Sequence, residues 1–155
     1  MNKRFHPVVP VHHDDLLVAN GVSSICELLG FTIAEPGDGI LMSSPIYQAF
    51  AIDFGTKAKV QTVHVPFGDV DQFSPDAVTL YERRIIESEL AGTKIRALLL
   101  CHPHNPLGQC YPRETIIGLM KLCQKYHIHL LSDEIYAMSV YDVPSKDAVS
   151  AVKTG

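Results

Sequence analysis

No hydrophobic run in the sequence is long enough to cross a bilayer, and the first residues lack the apolar stretch of a secretory signal peptide. A net charge of −4 provides no basic surface for nucleic acid or for an anionic membrane. We therefore expect neither nucleic acid nor a membrane as a partner. The 155 residues, 46% hydrophobic and 19% charged, are typical of one soluble globular domain with a real core.

Cysteine usage argues against a disulfide framework, because no Cys-x-x-Cys pair occurs among Cys26, Cys101, Cys110 and Cys123. Three of these residues fall in apolar strand or helix patterns, where reduced and buried thiols are expected. Reduced thiols predict a cytoplasmic location.

Several catalytic and nucleotide-binding motifs are also missing. The glycine turn Asn20-Gly21-Val22-Ser23-Ser24 lacks the Gly-x-Gly-x-x-Gly pattern of a Rossmann domain, and neither a P-loop nor a Gly-x-Ser-x-Gly elbow occurs. These absences argue against a nucleotide-binding Rossmann domain.

Strand and helix patterns alternate along the chain. Residues 1–13 show no hydrophobic periodicity, which predicts an extended arm. The predicted strands are 16–19, 40–42, 59–65, 95–101 and 127–131, and the predicted helices are 24–31, 47–54, 74–90 and 112–126. The buried stripe of the third helix is predicted to comprise Val78, Tyr81, Ile85 and Leu90. This order predicts an α/β fold with a mainly parallel sheet.

The two strands at 95–101 and 127–131, with the helix between them, form one predicted βαβ unit. Its strands are therefore parallel, and their carboxyl ends lie side by side at the edge where open α/β sheets bind ligands. Asn105, Asp133 and Tyr136 follow these strand ends and are expected to converge there.

A second candidate site lies where the predicted strand 16–19 runs through a glycine turn into a helix. Free N–H groups and the positive end of the helix dipole at such a turn attract an anion such as phosphate. A serine in this position is also the usual N-cap of a helix, so both interpretations stay open.

Metal binding is the weakest alternative. His102 and His104, and likewise His127 and His129, are spaced to place both imidazoles on one face of a strand. No Asp or Cys completes either pair at zinc spacing, so we predict no metal site.

Four segments together resemble the class I/II, fold-type I aminotransferases that use pyridoxal 5′-phosphate (PLP). They are Pro-Gly-Asp at 36–38, Ser-Pro-Ile-Tyr at 44–47, His-Asn-Pro-Leu-Gly at 104–108 and Ser-Asp-Glu-Ile-Tyr at 132–136. The Asn-Pro-Leu-Gly form is most similar to 1-aminocyclopropane-1-carboxylate (ACC) synthases and ACC-synthase-like proteins. The resemblance implies a three-layer large domain, with helices on both faces of the sheet, and PLP as the cofactor.

The resemblance also implies roles for individual residues. Asp133 matches the carboxylate that pairs with the pyridine nitrogen of PLP, and Asn105 and Tyr136 match the pair that binds its phenolic oxygen. Tyr47 matches the aromatic residue that stacks on the ring. The phosphate-cup positions fall on Gly21, Val22 and Ser23. From the residues alone, Asp133 fits a cap of the turn after its strand equally well, and Tyr47 fits a half-buried helix tyrosine better than a ligand-stacking residue.

Two further expectations come from the same resemblance. The Asn105-Pro106 peptide bond is expected to be cis. The Schiff-base lysine is expected a few dozen residues beyond Tyr136, whereas the late lysines, Lys146 and Lys153, lack the expected neighbours and spacing.

We therefore expect residues 1–155 to be part of a large, PLP-binding domain, without the small domain, the catalytic-lysine segment or any catalytic residue. The complete enzyme is expected to act on an amino acid through an external aldimine and to form a homodimer. The alternative is a non-catalytic PLP-binding fragment or an interaction module.

Overall fold

The structure, a computed structural model, describes residues 2–141. Its strands are β1 (Gly39–Ser43), β2 (Gln61–Val65), β3 (Ile95–Cys101) and β4 (His129–Asp133). Its helices are α1 (Asn2–Phe5), α2 (Gly21–Ile33), α3 (Phe50–Gly55), α4 (Ala77–Leu90) and α5 (Arg113–Tyr126), with short 3₁₀ turns at His13–Asp15 and Ala137–Ser139.

The four strands form one parallel sheet in the order β2-β1-β3-β4. The two central strands, β1 and β3, consist mainly of apolar residues because helices cover both of their faces. Alternate residues of β3 belong to two hydrophobic clusters on opposite faces of the sheet. Leu98 and Leu100 pack with α4 and α5, whereas Leu99 and Cys101 pack with α2 and α3. The fold is therefore a three-layer α/β fold, as predicted.

Most predicted elements are confirmed, although several observed boundaries differ from the predicted ones. Strand β3 has the predicted bounds, and β4 starts and ends two residues later than predicted, so that Asp133 is its last residue. Helix α3 begins at Phe50 rather than at Tyr47, because residues after Pro45 first form a turn. Leu90 is 84% exposed and does not belong to the buried stripe of α4, because it is the last residue of that helix.

The predicted buried strand at residues 16–19 is wrong. Leu17 and Val18 are 71% and 95% exposed, and the segment belongs to no strand. A strand needs a ladder partner, and the described sheet offers this segment none. The amino-terminal arm is also not uniformly extended, since it contains α1 and the turn at His13–Asp15. Among the helices of residues 2–141, none has both the length and the hydrophobicity required to span a bilayer.

Candidate functional site

An open cavity of about 200 Å³ lies at the carboxyl edge of the sheet, where the loops after β1, β3 and β4 meet the start of α2. Every predicted site residue except Gly21 lines it. The full lining consists of Val22, Ser23, Tyr47, Phe50, Asp53, Cys101, Asn105, Asp133, Ile135 and Tyr136. Parallel strands place their carboxyl ends together, which explains why residues so far apart in the sequence share one cavity.

The side chains of Asn105 and Tyr136 are hydrogen-bonded to each other. The Asn105 side-chain amide donates a hydrogen bond to the Tyr136 hydroxyl oxygen at 3.2 Å. Asn105 follows β3 and Tyr136 follows β4, so this contact links two neighbouring loops. The Asn105-Pro106 bond is cis, which confirms the prediction, and Ser44-Pro45 and His102-Pro103 are cis as well.

Asp133 ends β4 and is partly buried at the cavity wall. One of its carboxylate oxygens, Oδ1, accepts a hydrogen bond from the Ile135 backbone N–H at 3.1 Å. Burial raises the pKa of the Asp133 carboxyl above its usual value, the Ile135 N–H opposes this shift, and the nearby Glu134 charge adds to it. A cationic group brought into the cavity would therefore stabilise the Asp133 carboxylate.

Tyr47 supplies the aromatic wall of the cavity. Its side chain is 45% exposed, and its ring meets Phe50 edge to face, with centroids 5.4 Å apart. Because the Tyr47 ring is partly exposed and lines the cavity, it can cover a flat ligand there.

Helix α2 begins at Gly21 and presents its first turn at the cavity through Val22 and Ser23. Gly21 has a positive φ of 80°, a conformation that favours glycine, and it shapes the turn without lining the cavity. The Asn20 side chain caps no N–H of this 13-residue helix. The Gly21 N–H donates to the Ala19 carbonyl at 3.0 Å, so the N–H groups that the first turn offers to an anionic ligand are those of Val22 and Ser23.

Asp53 is a lining residue that no motif in the sequence marks. It lies on α3, one helical turn after Phe50, and its position in the cavity depends on the packing of α3. Its Oδ2 atom is shielded from solvent and has no hydrogen-bond partner within residues 2–141. The pKa of the nearby Cys26 thiol is raised to about 12, mainly by burial and to a smaller extent by the charges of Asp53 and Asp133.

The two histidine pairs do not assemble as metal ligands. His104 bonds to Ser43, and His102 accepts a hydrogen bond from the Tyr111 backbone N–H at 3.0 Å. His127 caps the end of α5 in a left-handed conformation and therefore does not share a strand with His129. Across residues 2–141, the one group of three neighbouring candidate ligands is the exposed His12, His13 and Asp14. Lys146 and Lys153 lie outside the described residues.

The family model described as "Aminotransferase class I and II" matches residues 1–154 of the chain. The chain belongs to the class I and II aminotransferase family.

Two relatives illustrate this membership. "Probable aminotransferase sirI" of Leptosphaeria maculans is 35% identical over 150 residues, which cover 97% of this chain and 36% of the relative. "Probable inactive 1-aminocyclopropane-1-carboxylate synthase-like protein 2" of Homo sapiens is 31% identical over 134 residues, covering 83% of this chain and 24% of the relative. The chain thus spans about a third or less of the length of these members of the family.

A solved member of the same fold is the PLP-bound C-S lyase of Staphylococcus hominis. It is similar to this chain with a TM-score of 0.66 and 21% identity, over 84% of this chain and 32% of the lyase. The similarity shows that the described parallel sheet and its helices share the fold of this lyase.

Proposed function

We propose that the cavity binds PLP and that residues 1–155 form the cofactor-binding part of the large domain of an aminotransferase or ACC-synthase-like enzyme. The observation that carries the proposal is the placement of Asp133, Asn105, Tyr136 and Tyr47 around one cavity in a chain of this family. The complete protein would act on an amino acid and work as a cytoplasmic homodimer.

The residues present fit the chemical groups of PLP. The cavity offers a carboxylate for the ring nitrogen, an aromatic ring for the pyridine face and hydrogen-bonding side chains for the phenolic oxygen. The uncapped first turn of α2 offers N–H donors to the phosphate. A volume of about 200 Å³ is below the usual range of about 300–1,000 Å³ for small-molecule sites, so these residues would enclose only part of the ligand.

When bound, PLP supplies an electron sink for the α-carbon of an amino acid. Asp133 would hold the proton on the ring nitrogen, because an adjacent carboxylate favours the charged pyridinium. Asn105 and Tyr136 would bind the phenolic oxygen. The Tyr47 ring would cover one face of the pyridine and exclude water from it.

The second candidate is a PLP-binding module without catalysis. The human relative, whose name describes it as probably inactive, favours this alternative. Lys146 and Lys153 lack the sequence neighbours and spacing expected of a Schiff-base lysine. Both candidates use the same cavity, and they differ in whether a lysine reacts with the cofactor.

Binding of pyridoxamine 5′-phosphate to the full chain, followed by ligand fluorescence, tests the proposal. This probe keeps the ring and phosphate of PLP but has no aldehyde, so it cannot react with surface lysines. We expect saturable binding by the unmodified chain and a loss of about tenfold or more in Asp133→Ala. Glu89→Ala is the control, because it removes an exposed carboxylate at the far end of α4. Equal affinities for all three chains, or no saturable binding, would contradict the proposal.

A further inference from the structure

We infer that a buried hydrogen bond between Ser43 and His104 positions the two loops that carry Tyr47 and Asn105. The inference deepens the proposed function and rests on it, since it concerns how the chain prepares the proposed PLP cavity. Neither Ser43 nor His104 lines the cavity, so both are positioning residues.

The bond joins the ends of two neighbouring strands. Ser43 is the last residue of β1 and His104 follows β3 by three residues, and the two side chains are 1% and 2% exposed. Ser43 Oγ lies 3.1 Å from His104 Nε2. A buried polar pair of this kind is costly to separate, because each partner would lose its hydrogen bond without gaining water.

Neighbouring groups fix which nitrogen of His104 carries the proton. The Leu107 backbone N–H donates to His104 Nδ1 at 3.5 Å, so Nε2 holds the proton and donates to Ser43 Oγ. The rings of Phe73 and Tyr111 lie 5.5 and 6.1 Å from the imidazole. Burial among such groups lowers the pKa of His104 to about 4, so the neutral form needed for this arrangement is kept near neutral pH.

The position of His104 controls the position of Asn105, its neighbour in the chain. The loop is closed on itself by two backbone bonds of 2.8 Å, from His104 N to Gln109 O and from Gly108 N to His104 O. It therefore moves as a unit, and a displacement of His104 would alter the 3.2 Å contact between Asn105 and Tyr136. Ser43 is the last residue of β1 and precedes Tyr47 by four residues, so the bond also anchors the strand end from which the Tyr47 segment starts.

Ser43→Ala and His104→Ala remove one partner each, and His104→Gln keeps an N–H donor on the side chain. Ser88→Ala is the matched control. Ser88 is a buried serine near the carboxyl end of α4, and its hydroxyl donates a hydrogen bond to the Arg84 carbonyl at 2.7 Å. Urea unfolding of every variant defines conditions in which each is folded. Two readouts follow: the affinity for pyridoxamine 5′-phosphate and the NMR signal of the Asn105 side-chain amide without ligand.

We expect Ser43→Ala and His104→Ala to weaken binding by about tenfold and to shift the Asn105 amide signal. Ser88→Ala should change neither readout, and His104→Gln should restore part of both. An unshifted Asn105 signal in Ser43→Ala, or an equal effect of Ser88→Ala, would overturn the inference. If the unmodified chain does not bind the probe, the proposed function fails, and the Asn105 signal still decides whether the bond positions this loop.

Discussion

The Asn105 side-chain amide donates to the Tyr136 hydroxyl oxygen at 3.2 Å, although 31 residues separate the two in the sequence. The contact exists because β3 and β4 are parallel neighbours, with Cys101 opposite Asp133 at their carboxyl ends. Their loops therefore start side by side. A donor and an acceptor are thus already paired where the proposed ligand would place its phenolic oxygen.

This pairing predicts that Asn105 and Tyr136 act together in ligand binding. Asn105→Ala and Tyr136→Phe should each weaken the affinity for pyridoxamine 5′-phosphate by about tenfold. The double variant should lose less than the product of the two effects, with a coupling free energy of about 1 kcal/mol. Fluorescence titrations of the four chains measure this cycle, and strictly multiplicative losses would show that the two side chains act independently.

The buried, neutral His104 predicts a loss of stability in acid. Its pKa is lowered from 6.5 to about 4 by burial, so the unfolded chain binds more protons than the folded one between these values. The free energy of unfolding should therefore fall as the pH drops from about 6.5 to about 4, by up to about 3 kcal/mol from this residue.

Urea unfolding of the unmodified chain and of His104→Gln across this pH range isolates the contribution of His104. The glutamine variant cannot take up the proton, so its stability should depend less on pH. Parallel curves for the two chains would rule out His104 as the source.

The four cysteines are predicted to react slowly with a thiol reagent in the native protein. All four are buried and free, and burial is the largest cause that raises the pKa of each thiol. Few thiolates are therefore present, and each cysteine is almost fully shielded from solvent. Reaction with Ellman's reagent at mildly alkaline pH should be slow until denaturant is added. Rapid labelling of one thiol in the folded chain would contradict this account of the core.

Helix α2 packs so closely on the segment after α3 that Gly30 has no room for a side chain. A Cβ on Gly30 would lie 2.9 Å from the Cβ of Ala58, which has no rotamer to change. Gly30→Ala should therefore lower the free energy of unfolding by about 1–3 kcal/mol, although alanine favours helix.

Adding Ala58→Gly to Gly30→Ala removes the opposing carbon and serves as the control. The double variant should recover part of the lost stability in urea unfolding. A stabilising effect of Gly30→Ala alone would show that α2 can move away without cost.

Strong local patterns allowed much of the fold to be predicted. The run Ile95–Cys101, apolar except for Arg96, marked β3 with its observed bounds, because a strand covered on both faces is mostly apolar. The run Leu16–Val18 had the same apolar character yet is exposed, since a strand also depends on a ladder partner that no local pattern reveals.

Part of the candidate site could likewise be predicted from the sequence, and part could not. The motifs placed Asn105, Asp133 and Tyr136 at one sheet edge from the βαβ topology. Asp53 and the Ser43–His104 bond went unpredicted. Asp53 reaches the cavity only through the packing of α3, and 61 residues separate Ser43 from His104. Such contacts depend on how the elements pack, which a single sequence does not specify residue by residue.

The ring-nitrogen NMR signal of ¹⁵N-labelled pyridoxamine 5′-phosphate tests most directly whether Asp133 holds a protonated pyridine. The spectrum would be recorded with the unmodified chain and with Asp133→Ala, at a pH above the pKa of the ring nitrogen in the free ligand. We predict a protonated ring nitrogen in the unmodified chain and a deprotonated one in the variant, at ligand concentrations that saturate both. A deprotonated nitrogen in the unmodified chain, or the same signal in both chains, would contradict the assignment of Asp133 and of the cavity.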